Sequence, residues 1–356
     1  MERIVIKVGS NVLTRPDGTL DVTRMSSIVD QVAALRKAGL EIILVSSGAV
    51  ACGRSMVKVR GKLDSVEQRQ LFSSVGQTRL VNLYFSLFRE YGITVGQVLT
   101  MKENFATRKE YLNQRSCMEV MLSNGVIPIV NENDTVSVTE LMFTDNDELS
   151  GLVATMMQAT RLIILSNVDG IYDSNPSKSG ARILTSIKPG DDLSGFIYSG
   201  KSSFGRGGMI TKTAIAQKVA QEGIAVTIAN GKRDGILTSL VNAPDSVPHT
   251  DFVPQEGAVS SVKKWIAHSE GFSKGVVTIN TNAVKAIAGR DAASLLMVGV
   301  LDIEGDFEEG DIIRVASPEG KVIAYGRSAY AAEDARASIG KHEVRPLIHY
   351  DYLYMV

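Results

Sequence analysis

Ile127 to Gly151 reads I-P-I-V-N-E-N-D-T-V-S-V-T-E-L-M-F-T-D-N-D-E-L-S-G, and this stretch decides how the rest of the chain is read. Ile127 to Val130 is apolar and largely β-branched, which predicts a short buried strand. It runs straight into Asn131, Glu132, Asn133 and Asp134. Polar residues at the carboxyl end of a strand stand where open α/β sheets bind their ligands. A second cluster, Asp145, Asn146, Asp147 and Glu148, precedes an apolar-periodic segment. Asp145 three residues ahead of Glu148 has capping-box spacing, so a helix is expected to start there. Helix starts carry unpaired N–H groups and partial positive charge, which suit carboxylates and phosphates. Two readings stand on these residues alone: a ligand site, or a capped helix beside a solvated acidic loop.

The flanking sequence repeats one pattern. Arg3 to Val8 alternates into a strand ending at Gly9 and Ser10. Val22, Met25, Ile28, Val29, Val32 and Leu35 have the spacing of an amphipathic helix over 22–38, stopped by Gly39 before the strand Glu41 to Val45. Helix, glycine and β-branched strand recur at Gly92, Gly125 and Gly223, and Gln158 to Ser166 makes the same join without a glycine. Strands alternating with helices predict βαβ crossovers, hence an α/β fold with a mostly parallel sheet sandwiched by helices. Pro244, Pro248 and Pro254 mark an irregular connection, and Lys263 to Ala267 is expected to be a last strand. From Gly271 the pattern becomes short strands, G-V-V-T-I-N, S-L-L-M-V-G-V, G-D-I-I-R-V and G-K-V-I-A-Y-G, with a hairpin turn at Ser317-Pro318-Glu319-Gly320. Two domains are expected, residues 1–268 and a small β-rich one over 271–356.

Composition narrows the function classes. With 356 residues there is room for roughly two domains with buried cores. The formal charge of −1 gives no general attraction to nucleic acid or anionic membrane. The opening M-E-R-I-V-I-K-V-G is too short and too charged for a signal peptide, and no apolar run approaches the ~20 residues that cross a bilayer. A cytoplasmic protein is expected. Cys52 and Cys117 form no C-x-x-C pair, so no metal or disulfide framework is implied.

Three glycine-bearing segments have the make-up of anion cradles: Lys7-Val8-Gly9-Ser10, Ser46-Ser47-Gly48-Ala49, and Phe204 to Lys212. The last is not a Walker A loop, because Thr211 stands where the glycine before the lysine belongs. Singly, each is also an ordinary turn. Lys7 interrupts an apolar strand, and is either a snorkelling edge lysine or a buried charge with a partner.

Taken together and in order, K-V-G-S, V-S-S-G-A-V, N-E-N-D, T-D-N-D-E-L-S, a strand followed by D-G-I-Y, and G-x-G-G-M-x-T-K resemble the amino acid kinase family, over essentially the whole chain. The β-rich tail resembles a barrel-like PUA domain. Within the family the match is to members that phosphorylate glutamate, which implies transfer of the ATP γ-phosphoryl group to its side-chain carboxylate as the first step of proline synthesis. The resemblance implies that Lys7 and Lys212 flank and neutralise the transferring group while Asp147 holds both lysines. It assigns Ser47, Asp134 and Asn146 to L-glutamate, with Asp134 taking the free α-ammonium that an N-acetylated acceptor lacks. For ATP it assigns Lys7, Ser166, Asn167 and the run Arg206, Gly207, Gly208, Met209, Ile210, Thr211 and Lys212, with Gly9 and Gly48 offering N–H groups to phosphates. Mg²⁺ would bridge phosphate oxygens, with no dedicated protein metal site. A homo-oligomer and a partner reductase that consumes glutamyl phosphate are further implications.

The chain departs from the family at Ser166-Asn167, where Thr-Asp is commoner, and at Arg206, where a small residue is. Arg206 either adds a phosphate contact or points to solvent. Two alternatives stay open: a related kinase with another acceptor, and an RNA-binding or regulatory role for the tail. Against RNA, Asp302, Glu304, Asp306, Glu308, Glu309 and Asp311 crowd the tail, the wrong sign for a phosphate backbone.

Overall fold

Strand β1, Arg3–Val8, has a neighbour on either side and carries the first of the expected site residues. The computed structural model describes residues 1–136, 143, 145–174, 180–193, 208–257, 263, 265–266, 270–289 and 293–356. They fall into two compact units, one of residues 1–102 and 114–257, the other of 103–113 and 258–356.

In the first unit, β1 is followed by α1 (Ser10–Leu13), α2 (Val22–Lys37), β2 (Glu41–Ser46), α3 (Ala49–Arg54), α4 (Ser65–Arg89), β3 (Val95–Thr100), α5 (Arg108–Ser123, begun in the other unit) and β4 (Ile127–Glu132). Then come α6 (Asn146–Met156), β5 (Arg161–Ser166), β6 (Ser186–Ile187), α7 (Met209–Gln221), β7 (Ala225–Asn230), α8 (Ile236–Asn242) and β8 (His249–Phe252). The sheet runs β3-β4-β2-β1-β5-β7-β8-β6, and all described neighbours are parallel except β7 and β8. Val8 is level with Ser46 on one side and Leu165 on the other, so the central strands end together. From β1 the chain winds outward to β2, and from β5 it winds the opposite way to β7. That reversal is the switch point at which such sheets leave a crevice.

Alternation along β1 sorts its side chains. Ile4, Ile6 and Val8 enter a core with Met25, Ile28, Val29 and Val32 of α2 and Leu237 and Leu240 of α8. Val5 and Lys7 therefore face the other side, where α6 crosses β1, β2, β4 and β5. Lys7 lies on an inner strand and is 4% exposed, which excludes the snorkelling edge lysine. The helix stops behave as glycine requires: Gly39, Gly125 and Gly223 have φ of 94°, 77° and 84°. At the join without a glycine, Gln158 itself takes a left-handed φ of 52°.

Three expectations need correction. The supposed irregular connection contains β8, whose Thr227–Asp251 and Ile228–Thr250 pairings with β7 are antiparallel; the flanking prolines, Pro248 and Pro254, bound the strand rather than prevent it. Lys263 to Ala267 is not a strand: Lys263, Trp265 and Ile266 are helical, and Ala267 lies outside the described residues. So short an apolar run has no period of its own, and the buried Trp265, whose indole N–H donates to the Phe105 carbonyl at 2.9 Å, sets the local geometry. Ser294 to Val300 is likewise no continuous strand, because Met297–Gly299 form a 3-10 turn ahead of the strand.

The second unit carries β9 (Gly275–Ile279), β10 (Val300–Gly305), β11 (Ile312–Ala316), β12 (Val322–Arg327) and β13 (Leu353–Met355), ordered β10-β9-β11-β12-β13. The expected hairpin turn joins β11 to β12, with Gly320 at φ 81° and its N–H on the Ser317 carbonyl at 2.9 Å.

Helices α6 and α7 pack closely because Gly151 has no side chain. A Cβ there would lie 3.0 Å from both Ile215 Cγ2 and Val219 Cγ2. Gly151→Val should push α7 outward and cost about 1–3 kcal/mol, read as a lower urea midpoint. An unchanged midpoint would mean that the two helices tolerate separation.

Candidate active site

Three elements deliver one charged residue each to the carboxyl end of the sheet. Lys7 is the penultimate residue of β1, Asp147 lies in the first turn of α6, and Lys212 in the first turn of α7. Lys7 Nζ is 2.6 Å from Asp147 Oδ1, and Lys212 Nζ is 2.7 Å from Oδ2. One carboxylate with no solvent exposure is thus shared by two ammonium groups, leaving a cluster of charge +1. Burial pushes the Asp147 carboxyl up, but the two lysines outweigh it and hold it down at about 2. Its place at a helix start favours the ionised form as well.

The helix starts where its residues predict. Asp145 caps α6, accepting from the N–H groups of Asp147 and Glu148 at 2.9 and 3.1 Å. The Glu148 carboxylate pairs with Lys102 at 3.1 Å. The second Asp145 oxygen, Oδ2, is buried with no hydrogen-bond partner. Burial and the charge of Asp147 drive the Asp145 carboxyl up to about 6, against the opposing pull of the lysines.

Beside this cluster runs a ladder of neutral polar groups. Asn146 Nδ2 donates to Ser47 Oγ at 2.8 Å and to Asn131 Oδ1 at 3.0 Å, and Asn131 Nδ2 donates to Gln77 Oε1 at 2.8 Å. The structure therefore brings Ser47 and Asn146 together, next in chain to Asp147. Asp134 is joined instead to Arg69 of α4, 3.5 Å away. Arg69 and Gln77 are not among the residues the sequence singles out, whereas Asn131 and Asp145 stand in its two polar clusters without an assigned role. Arg69, Ser73 and Gln77, polar at four-residue spacing in an otherwise apolar helix pattern, were the available signal.

Gly9 follows β1 directly. Its N–H donates to the Leu165 carbonyl at 3.2 Å. What the glycine supplies is room: a Cβ would lie 3.1 Å from that carbonyl and 3.3 Å from Lys7 Nζ. Gly48 heads α3 at φ 110°, a conformation that favours glycine. Ser166 ends β5 buried, and the following Asn167 is exposed, its Oδ1 3.5 Å from Ser166 Oγ. Gly208 caps α7, with Met209, Ile210, Thr211 and Lys212 as its first turn. Arg206 and Gly207 lie outside the described residues. Asp169 of the D-G-I-Y segment is clamped by Arg233, whose Nε and Nη2 donate at 2.7 and 2.8 Å, and by Asn230 Nδ2 at 3.0 Å. Among the described residues no cluster of three His, Cys, Asp or Glu could hold a metal by itself.

The two aspartates should act oppositely on stability. Asp147, depressed to about 2, contributes stability that is present above the ordinary value of 3.8 and lost as pH falls through 2. Asp145, raised to about 6, contributes below 3.8 and loses that contribution as pH rises through 6. Asp145→Asn keeps a cap without the charge. Relative to wild type it should gain up to about 3 kcal/mol between pH 4 and pH 7, measured by urea unfolding. Parallel curves for the two proteins would mean that Asp145 ionises normally.

Comparisons with known proteins identify the family. The model of the amino acid kinase family matches residues 2–230, and that of the PUA domain matches 275–350. The chain is 62% identical over 353 residues to a glutamate 5-kinase of Bacteroides thetaiotaomicron, covering 99% of this chain and 98% of that protein. It is 49% identical to a glutamate 5-kinase of Chlorobaculum tepidum, covering 99% and 97%. Among solved structures, the carbamate kinase from Giardia lamblia bound to AMP-PNP superposes with a TM-score of 0.52 at 17% identity, over 71% of this chain and 99% of that one. An isopentenyl phosphate kinase substrate complex gives 0.51 at 16% identity, over 71% and 100%. At such identities the structures speak for the fold alone, and the sequence matches settle the family: this chain is a member of the amino acid kinase family with a PUA domain in its tail.

Proposed function

We infer that the protein phosphorylates the side-chain carboxylate of L-glutamate at the expense of ATP, giving L-glutamyl 5-phosphate for proline synthesis. The observation that carries the chemistry is the pair of ammonium groups on the two oxygens of buried Asp147. The acceptor follows from relatives named glutamate 5-kinase over almost their whole length. Residues 1–268 are assigned to the kinase and 271–356 to the PUA-like tail, in line with the spans of the two family models.

The acceptor needs no base. A side-chain carboxylate with a pKa of about 4.3 is already ionised at neutral pH. One of its oxygens attacks the γ-phosphorus, the bond to the bridging oxygen breaks, and ADP leaves with that electron pair. The difficulty is that an anion approaches a polyanion. A unit-charge pair at ~4 Å and an effective dielectric of ~20 is worth about 4 kcal/mol, so catalysis rests on positioning and on neutralisation by Lys7 and Lys212. Asp147 holds both ammonium groups in place. Ser47 and Asn146 position the reacting carboxylate, and Asp134 takes the α-ammonium. Ser166, Asn167, Gly48 and the first turn of α7 face the nucleotide. Mg²⁺ would take most of its ligands from phosphates and water, and the buried Asp145 Oδ2, without a hydrogen-bond partner of its own, is a carboxylate oxygen that would be at hand beside the lysine cluster.

ADP release with glutamate, N-acetylglutamate and aspartate offered separately, with hydroxylamine trapping the acyl phosphate, tests the assignment. Only glutamate should support turnover and trapping; hydroxylamine adducts from another acid would reassign the acceptor. Lys7→Ala and Lys212→Ala should each lower turnover about a thousandfold, from the loss of ~4 kcal/mol of charge compensation. Near-wild-type rates in both would remove those lysines from the mechanism. Asp134→Asn should raise the KM for glutamate far more than that for ATP, and equal rises would assign the residue to folding.

A further inference from the structure

One stripe along α4 changes character half way. Leu80, Tyr84 and Phe88 are buried and pack in the apolar core, whereas Arg69, Ser73 and Gln77, the same stripe continued toward the helix start, are buried and polar. The polar half lies against the segment that follows β4: Arg69 reaches Asp134 at 3.5 Å, and Gln70 Nε2 donates to the Thr135 carbonyl at 3.0 Å. Gln77 is 9% exposed and only half satisfied. Its Oε1 accepts from Asn131, while Nε2 is buried with no hydrogen-bond partner. Native proteins rarely leave a buried amide donor unmatched unless something else completes it.

We propose that Gln77 determines acceptor specificity, its free Nε2–H donating to the α-carboxylate of the amino-acid substrate. This rests on the glutamate reading above. The reacting carboxylate belongs at the Ser47–Asn146 end of the ladder, where Asn146 adjoins Asp147 in the chain. Gln77 stands at the opposite end, beyond Asn131. Glutamate has three carbons between its two carboxylates, so the two ends of the ladder suit its two ends. The α-ammonium and α-carboxylate share one carbon and call for adjoining partners. Asp134, three residues beyond Asn131 and paired to the same face of α4, supplies the other. The bond from Asn131 also fixes the Gln77 amide in one orientation, so the donor is aimed before substrate arrives.

The test compares L-glutamate with its α-amide, both carrying a free side-chain carboxylate, as acceptors for wild type, Gln77→Leu and Gln77→Glu. Wild type should prefer glutamate by about tenfold to a hundredfold in kcat/KM, the worth of a buried hydrogen bond to a charged group. Gln77→Leu should raise the KM for glutamate by a similar factor, leave the KM for ATP within twofold, and shrink the preference at least tenfold. Gln77→Glu repels an α-carboxylate but accepts from an α-amide, so it should invert the preference. A merely structural glutamine would shift both KM values together and leave the preference intact. The proposal is overturned if wild type uses the α-amide with an unchanged KM, a result that depends on no variant folding. It is equally overturned if Gln77→Leu keeps its glutamate KM within twofold. Absence of any glutamate-dependent ADP release by wild type is a separate outcome, and removes the acceptor assignment itself.

Discussion

A carboxylate buried between two ammonium groups is the constraint that the kinase unit is built to satisfy. Removing one partner of a buried ion pair leaves an uncompensated charge and costs several kcal/mol, so Asp147 binds the positions of Lys7 and Lys212 to each other. That requirement explains features that look unrelated. The strand carrying Lys7 must be an inner one for the side chain to be buried, and it must end level with its neighbours to reach a helix start. Gly9 leaves space for the lysine, and Gly151 lets the helix bearing Lys212 come close.

The arrangement also divides the site by type of charge. Lys7, Asp147 and Lys212 taken together carry one surplus positive charge, largely buried, which suits phosphate oxygens. Next to it the ladder from Ser47 to Gln77 is uncharged, so it offers hydrogen-bonding groups without adding to the field. Asp145, with one oxygen capping the helix and the other unpartnered, sits at the junction of the two regions.

Much of the frame was legible in the sequence because it is periodic. The strand Arg3–Val8 and the helix beginning at Val22 announce themselves by alternation and by three-and-four spacing, and glycine marks where helices stop. The site residues on those elements came from motifs rather than from period, and the structure gathers Lys7, Asp147 and Lys212 on one carboxylate. What escaped were features decided by tertiary contact. Gln158 takes the left-handed turn that elsewhere needs glycine. His249–Phe252 pairs as a strand between two prolines, and Trp265, helical and buried, has its indole anchored to Phe105. Arg69 and Gln77 were hidden for another reason: on a buried helix face, a polar residue in an apolar stripe draws attention only once its partners are known.

The three residues of the charged cluster are distant in the chain, at positions 7, 147 and 212. Domains begin to fold from the amino terminus while they are being synthesised. On the ribosome, until the helix that begins at Met209 has emerged, Lys7 and Asp147 form a pair of zero net charge. The surplus cation that would draw a nucleotide arrives only with Lys212. The charge surplus at this point therefore appears only with α7, while β7, α8 and β8 of the same unit are still to follow.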